Sequence, residues 1–123
     1  MCLVLNDFTK YIAVDNITVY KVVAVTNGVM HAIWRFFEYK YHKLYKLSVP
    51  LRTYTLFSHD VITQNGFYSF DNWDDAWILH LRCLDKSQYT TKIVECVLPK
   101  GTEYYKTNNI IVSNQIKIVK KCV

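Results

Sequence analysis

A chain of 123 residues is predicted to form one domain, since this length is enough to bury a sizeable core. Hydrophobic residues make up 51% and charged residues 20% of the chain, which excludes an intrinsically disordered protein. The formal net charge of +5 permits contact with nucleic acid or with an acidic partner, although the lysines are scattered rather than clustered.

The first part of the chain is predicted to consist of strands separated by loops. Apolar residues favour a short edge strand over 1–5, and the mixed segment 6–16 is expected to be a loop. β-Branched residues dominate Ile17 to Val25, which predicts a central strand. Asn27-Gly28 supplies the two positive φ angles of a type I′ turn, so Val29 to Tyr41 is predicted to return as the paired strand.

Basic and aromatic residues are interleaved in the stretch from Arg35 to Lys46, RFFEYKYHKLYK. Nucleobases stack on aromatic rings while lysines contact phosphates, so this stretch is a candidate surface for nucleic acid or for a protein partner. The residues expected to form that surface are Arg35, Tyr39, Lys40, Lys43 and Lys46. The alternative, which alternation alone favours, is a two-faced strand with apolar residues inside and basic residues outside.

A second hairpin signal, Asn65-Gly66, is flanked by two segments that favour strands. These are Val61 to Gln64 and Phe67 to Phe70, and a type I′ turn between them predicts that they pair. Pro50 interrupts regular structure before this region, and Leu51 to Phe57 is expected to contain a further short strand.

The clearest helical pattern follows, and it predicts one principal helix over about 71–84. Asp71 is expected to cap its N-terminus, and Asp74 and Asp75 add the negative charge that the helix dipole favours there. The predicted apolar face comprises Trp73, Ala76, Trp77, His80, Leu81 and Leu84. The two tryptophans are therefore expected in the core rather than in a ligand platform.

After the helix the sequence returns to strands. Tyr89 to Leu98 reads as a buried strand, and Pro99-Lys100-Gly101 predicts the turn that ends it. Glu103 to Lys106, Ile110 to Val112 and Gln115 to Val119 are predicted to be extended. The predicted fold class is therefore α+β, with a mainly antiparallel, bent sheet or pair of sheets and one principal helix.

No pattern in the sequence specifies a catalytic site, a metal or a cofactor. His80 and Cys83 are three residues apart, but no second pair completes a zinc site. The N-terminus lacks the pattern of a signal peptide, and no apolar stretch approaches the roughly 18 residues that a membrane helix needs. We therefore expect a cytoplasmic protein with no metal, no cofactor and no membrane contact.

Several segments together resemble a group of small, mostly uncharacterised proteins of Bacteroidetes and their phages. The segments are MCLVL at the start, ITVYKVV at 17–23, GFYSF at 66–70 and VECVLPKGTEYYKTNNIIVSNQIKI at 94–118. The resemblance implies a phage or prophage accessory protein in the cytoplasm of a bacterial host, with virion association left open. It implies no particular activity.

Gly66-Phe67-Tyr68, which precedes the predicted helix, also resembles a strand of the ADP-ribosyltransferase fold. This resemblance implies a nucleotide pocket in which Tyr68 stacks on a ring, with Lys21 where the family has His or Arg. Glu95 or Glu103 would be the carboxylate of such a pocket. The position of the family's catalytic glutamate, within 109–112, carries no carboxylate here.

Three functions remain open from the sequence. The one we expect first is a non-catalytic interaction module for a host or virion protein, because ten tyrosines favour a contact surface. The second is a nucleotide-binding or nucleotide-modifying protein that uses Lys21, Tyr68 and Glu95. The third is nucleic-acid binding through the stretch 35–46.

Overall fold

The computed structural model describes residues 3–33, 37–86 and 90–122, and within them thirteen strands and one helix form the predicted α+β fold. The strands are β1 (Val4–Leu5), β2 (Tyr11–Ile12), β3 (Ile17–Thr26), β4 (Val29–His31), β5 (Glu38–Tyr39), β6 (Leu44–Lys46), β7 (Thr53–Thr55), β8 (Val61–Thr63), β9 (Phe67–Phe70), β10 (Thr90–Leu98), β11 (Glu103–Thr107), β12 (Ile110–Ser113) and β13 (Gln115–Lys121). The helix α1 spans Trp73–Lys86. In the described residues, no helix has both the length and the apolar character needed to cross a membrane.

The strands form two antiparallel sheets. The larger has ten strands, of which eight follow the order β2-β11-β12-β9-β3-β10-β13-β6, while β4 and β5 extend from β3. The smaller has the order β1-β8-β7. β3 pairs with β10 from Ile17↔Leu98 to Val25↔Thr90, which confirms the prediction of a central strand. A register shift between Glu95 and Cys96 interrupts the pairing of β10 with β13, and such irregularities bend a strand.

Each face of the large sheet has its own core. One face carries the main cluster, which is built from β-branched residues of the central strands, such as Val19, Val23, Val94, Ile116 and Ile118. The opposite face is covered by two elements. α1 packs on it through Ala76, Val22 and Ile93, and the small sheet contributes Leu5 to a second cluster with Tyr105 and Val112.

α1 begins two residues later than predicted, and Asn72 rather than Asp71 is its cap. The Asn72 side-chain oxygen accepts the backbone N–H of Asp75 at 3.0 Å, and its amide donates to the Asp75 carboxylate at 3.1 Å. Asp71 is still held by the sheet, because its N–H donates to the carbonyl of Asn109 at 2.9 Å. Its carboxylate pairs instead with Lys106 at 2.6 Å.

The buried face of α1 is also rotated from the predicted one. Ala76 and His80 are buried, but Trp77 is 38% and Leu81 44% exposed, so the prediction that both tryptophans are core residues is wrong for Trp77. The ring of Trp77 stacks on Trp73 at 6.1 Å between centroids. Its apolar surface is therefore partly covered along the helix itself and not by the sheet. The Leu84 side chain lies outside the described part.

The hairpins predicted at the two Asn-Gly pairs have different outcomes. Asn27 and Gly28 have φ angles of 50° and 78°, and Thr26 pairs with Val29 across them, so the first hairpin is confirmed. The second is wrong, because β8 and β9 belong to different sheets. The Asn65 side chain accepts the N–H of Arg52 at 2.8 Å, which fixes a connection between the sheets and not a hairpin turn.

The segment predicted to return as one strand, Val29 to Tyr41, is divided. Only β4 and β5 are extended within its described part. The loop predicted over 6–16 contains β2, which pairs with β11. The strands predicted after the helix agree with β10 to β13 in order and in approximate bounds.

Candidate ligand-binding cleft

A gap opens in the large sheet between β3 and β9. The two strands are neighbours, but one pair, Tyr20↔Phe70, joins them in the described register. Beyond it β9 stays paired with β12 along its whole length, whereas β3 takes β4 as its partner from Ala24 onward. The segments 21–23 and 67–69 therefore face each other without a shared backbone ladder.

The side chain of Lys21 fills this gap. Its Nζ donates to the backbone carbonyl of Tyr68 at 2.5 Å, and so supplies a donor where a paired strand would present a backbone N–H. The same Nζ lies 5.5 Å from the centroid of the Tyr39 ring, within the range of a cation–π contact. Lys21 thus links three separate parts of the chain.

Lys21 is a buried cation, with 8% of its surface exposed. The ion pairs of the described residues join Asp71 to Lys106 and Glu95 to Lys120, so neither of them neutralises the Lys21 charge. Burial disfavours the charged form and lowers the pKa of Lys21 from 10.5 to about 8. The amine is therefore much closer to losing its proton near neutral pH than a surface lysine is.

Two cavities meet at Lys21, Val22 and Tyr68. The larger, of about 430 Å³, lies between α1 and the strand β9. Ile78 and Leu79 form its apolar wall, and Asp75 and Arg82 add one charge of each sign. This groove exists because α1 covers β3 and β10, while the small sheet covers β11 and β12, which leaves β9 between them.

The smaller cavity, of about 330 Å³, lies on the other side of Lys21 and is rich in aromatic rings. The Phe37 ring is 5.1 Å from that of Tyr39 and 6.0 Å from that of Phe67, in edge-to-face contacts. Lys46 lines the same cavity and adds a second cation to it. An aromatic lining beside two lysines suits a planar ligand that carries negative charge.

Tyr68 is a fixed part of the cleft floor. Its hydroxyl is 2.9 Å from the Thr63 hydroxyl, which in turn accepts the backbone N–H of Leu3 at 3.1 Å. Tyr68 therefore ties the large sheet to the small one. Its ring is held in place before any ligand binds.

Ser69 lies at the position opposite Lys21, since the neighbouring residues Tyr20 and Phe70 are paired. It is 2% exposed, and its hydroxyl has no hydrogen-bond partner among the described residues. An unpartnered buried hydroxyl is costly in a folded protein. Ser69 also lines the larger cavity.

The structure brings Lys21 and Tyr68 together but does not bring Glu95 to them. Glu95 pairs with Tyr20 in the sheet, so strand alternation places it on the face opposite Lys21. Its carboxylate lies 3.9 Å from the Lys120 amine. Glu103, the other candidate carboxylate, accepts the Asn114 amide at 3.3 Å and lines neither described cavity.

The basic and aromatic stretch does not form one continuous surface. Tyr39 is 5% exposed, so its ring belongs to the core and is not available to stack on a base. Lys40, Lys43 and Lys46 are exposed, and the Lys43 amine lies 5.3 Å from the centroid of the Tyr45 ring. Arg35 lies outside the described residues. The stretch forms two short strands, β5 and β6, and not the single two-faced strand that alternation favoured.

The aromatic cavity was not predicted, because its lining residues come from segments that are distant in the sequence. Lys21 did carry a signal, since it is the one charged residue within the apolar run of β3. In the described part of the chain, no group of three His, Cys, Asp or Glu residues is placed to hold a metal ion. No family model, curated protein or solved structure matches this chain.

Proposed function

We propose that the protein binds a small anionic ligand with a planar ring, of the size of a mononucleotide, in the cleft at Lys21 and Tyr68. The observation that carries this proposal is the buried ammonium of Lys21 at the meeting point of two cavities. A buried charge is costly unless an opposite charge compensates it. Because no described ion pair includes Lys21, an anionic ligand would supply the missing compensation.

The dimensions of the cleft support a ligand of this class. Cavities of about 430 and 330 Å³ fall in the range of small-molecule sites. The planar part of the ligand would lie against Phe37, which is 40% exposed and lines the aromatic cavity, and the anion would lie between Lys21 and Lys46. We propose binding rather than chemical modification, because Glu95 lies on the opposite face of the sheet. A cytoplasmic location is part of the same proposal, since nucleotides are abundant there.

The test is calorimetric titration of mononucleotides and NAD into wild-type protein, Lys21→Met and the control Lys43→Met. Lys21→Met keeps a long side chain but removes the charge, and Lys43 is exposed and lines neither described cavity. A charged hydrogen bond contributes about 1.5–3 kcal/mol, so we expect roughly 10- to 150-fold weaker binding for Lys21→Met. Equal losses in both variants, or no binding by wild-type protein at millimolar ligand, would contradict the proposal.

A second candidate function is the non-catalytic interaction module, and the exposed side of α1 favours it. Trp77, Ile78 and Leu81 are 38%, 47% and 44% exposed and form one apolar stripe on the helix. Contiguous apolar surface of this kind marks interaction sites. The net charge of +5 suits a host or virion protein with an apolar groove and an acidic rim.

A photo-crosslinking residue at position 78 tests this second function. We expect one discrete adduct with a heterologous protein, and we expect Leu81→Glu to abolish it by placing a charge in the interface. Tyr54→Glu is the matched control, because Tyr54 is 56% exposed on β7, outside the helix. Loss of the adduct in both variants, or an adduct with a second copy of this chain, would rule the interaction out.

A further inference from the structure

We propose that the amine of Lys21 captures an aldehyde as an imine within the cleft, and that the ligand class is an aromatic aldehyde carrying an anionic group. This inference rests on the cleft of the proposed function but does not require that the ligand be a nucleotide. It assigns to Lys21 a covalent role beyond charge compensation.

Lys21 lies where the two cavities meet. Nζ is anchored by its hydrogen bond to the Tyr68 carbonyl at 2.5 Å, which accounts for one of the three ammonium protons. Lys21 lines both the 430 Å³ and the 330 Å³ cavities. Nζ also lies 5.5 Å from the centroid of the Tyr39 ring, which lines the aromatic cavity, so an aldehyde held in that cavity would meet the amine while the carbonyl of Tyr68 orients it.

The aromatic cavity defines the ligand class. The Phe37 ring contacts the rings of Tyr39 and Phe67 edge to face and is itself 40% exposed, which suits a flat ring. Lys46 lines the same cavity and provides a cation for a phosphate or a carboxylate on that ring. An aromatic aldehyde with an anionic substituent matches both features, with its carbonyl carbon directed to Lys21.

The reaction balances without an oxidant or a reductant. Lys21 first loses a proton to solvent, and the nitrogen lone pair then forms a bond to the aldehyde carbon while the carbonyl π electrons move to oxygen. Proton transfer from nitrogen to oxygen gives a carbinolamine. Its hydroxyl group and the remaining nitrogen proton then leave as water, while the nitrogen lone pair forms the C=N bond of the imine.

Burial leaves a larger fraction of the Lys21 amine neutral at pH 8 than of the amine of an exposed lysine. Its pKa is lowered to about 8, so about half of the amine is neutral at pH 8. An exposed lysine with an ordinary pKa of about 10.4 is less than about 1% neutral at the same pH. The expected difference in available amine is roughly 100-fold.

The experiment uses pyridoxal 5′-phosphate as the probe, at an equimolar ratio to the full chain at pH 8. Borohydride adds a hydride to any imine and fixes it as a secondary amine, and peptide mass spectrometry then locates the label. We expect Lys21 to carry most of the label, Lys43→Met to retain it, and Lys21→Met to lose the site. Pyridoxal without the phosphate is expected to label Lys21 at least 10-fold less, since it lacks the group that Lys46 binds.

The positions of the label in wild-type protein test imine formation at Lys21 even if Lys21→Met does not fold. Label spread evenly over exposed lysines such as Lys40 and Lys43 would overturn the inference. The outcome is also separable from that of the proposed function. Nucleotide binding without label on Lys21 would refute imine formation alone. Label on Lys21 without nucleotide binding would support it and would show that the nucleotide proposal fails.

Discussion

Replacing Gly66 by alanine is expected to destabilise the protein by about 2–6 kcal/mol, since overpacking and backbone strain each cost about 1–3 kcal/mol. An added Cβ would lie 2.4 Å from Cγ1 of Val112 and 3.0 Å from Cδ2 of Leu51. Val112 is completely buried, so it has little room to move. The φ angle of Gly66 is +118°, a conformation that residues with a side chain rarely adopt.

Gly28→Ala separates the two contributions in the same urea-unfolding experiment. Gly28 also has a positive φ, of +78°, but nothing lies within 4 Å of its added Cβ. This control should therefore show the backbone strain without the overpacking, and a loss of about 1–3 kcal/mol. If Gly66→Ala were no more destabilising than Gly28→Ala, the close contact with Val112 would not be present in solution. Because Gly66 lines the aromatic cavity, its replacement is also expected to weaken ligand binding.

Wild-type protein is expected to gain stability relative to Lys21→Met as the pH rises from about 8 to about 10.5. The folded-state pKa of Lys21 is lowered to about 8 from the ordinary value of 10.5. Between these values the unfolded chain holds a proton that the folded protein has lost, so raising the pH favours the folded state. At 1.36 kcal/mol per pH unit, the full gain is about 3 kcal/mol.

Ionisation of the Cys96 thiol changes the stability with pH in the opposite direction, so its contribution must be distinguished from that of Lys21. Burial raises the pKa of its thiol from 9.0 to about 12, so the unfolded chain releases a proton first and stability falls as the pH rises above 9. Wild-type stability should therefore rise from pH 8 to 9 and then level off. The difference between wild type and Lys21→Met, measured by urea unfolding at each pH, reports Lys21 together with its charge interaction with Cys96. A difference that does not change with pH would show that the Lys21 amine is not desolvated in the folded protein.

Several elements were predictable because their causes are local. β3 and β10 follow from runs of β-branched residues, whose side chains suit a strand. The hairpin at Asn27-Gly28 follows from two residues that tolerate positive φ between strands that pair with each other. The helix followed from its apolar period and its acidic first turn. In each case the deciding preferences act between residues that are close together in the sequence.

The same local rules failed where a partner had to be chosen from elsewhere in the chain. Asn65-Gly66 permits a hairpin turn, but β8 pairs with β1 and β7, and β9 pairs with β12. The apolar period of α1 indicates a helix, but it does not say which side packs on the sheet. That side was decided by contact with Val22 and Ile93, and it leaves Trp77 exposed.

The candidate site shows most clearly which features are set by local sequence and which by tertiary structure. The sequence by itself determined that a lysine stands within the apolar strand β3 and that a tyrosine stands in β9. Only the tertiary structure decided that these two residues, 47 positions apart, meet where β3 exchanges β9 for β4 as its partner. That exchange depends on long-range strand pairing, which local propensity does not encode. This exchange of partners opens the gap in which Lys21 is buried away from water, donates to the Tyr68 carbonyl and lines both cavities.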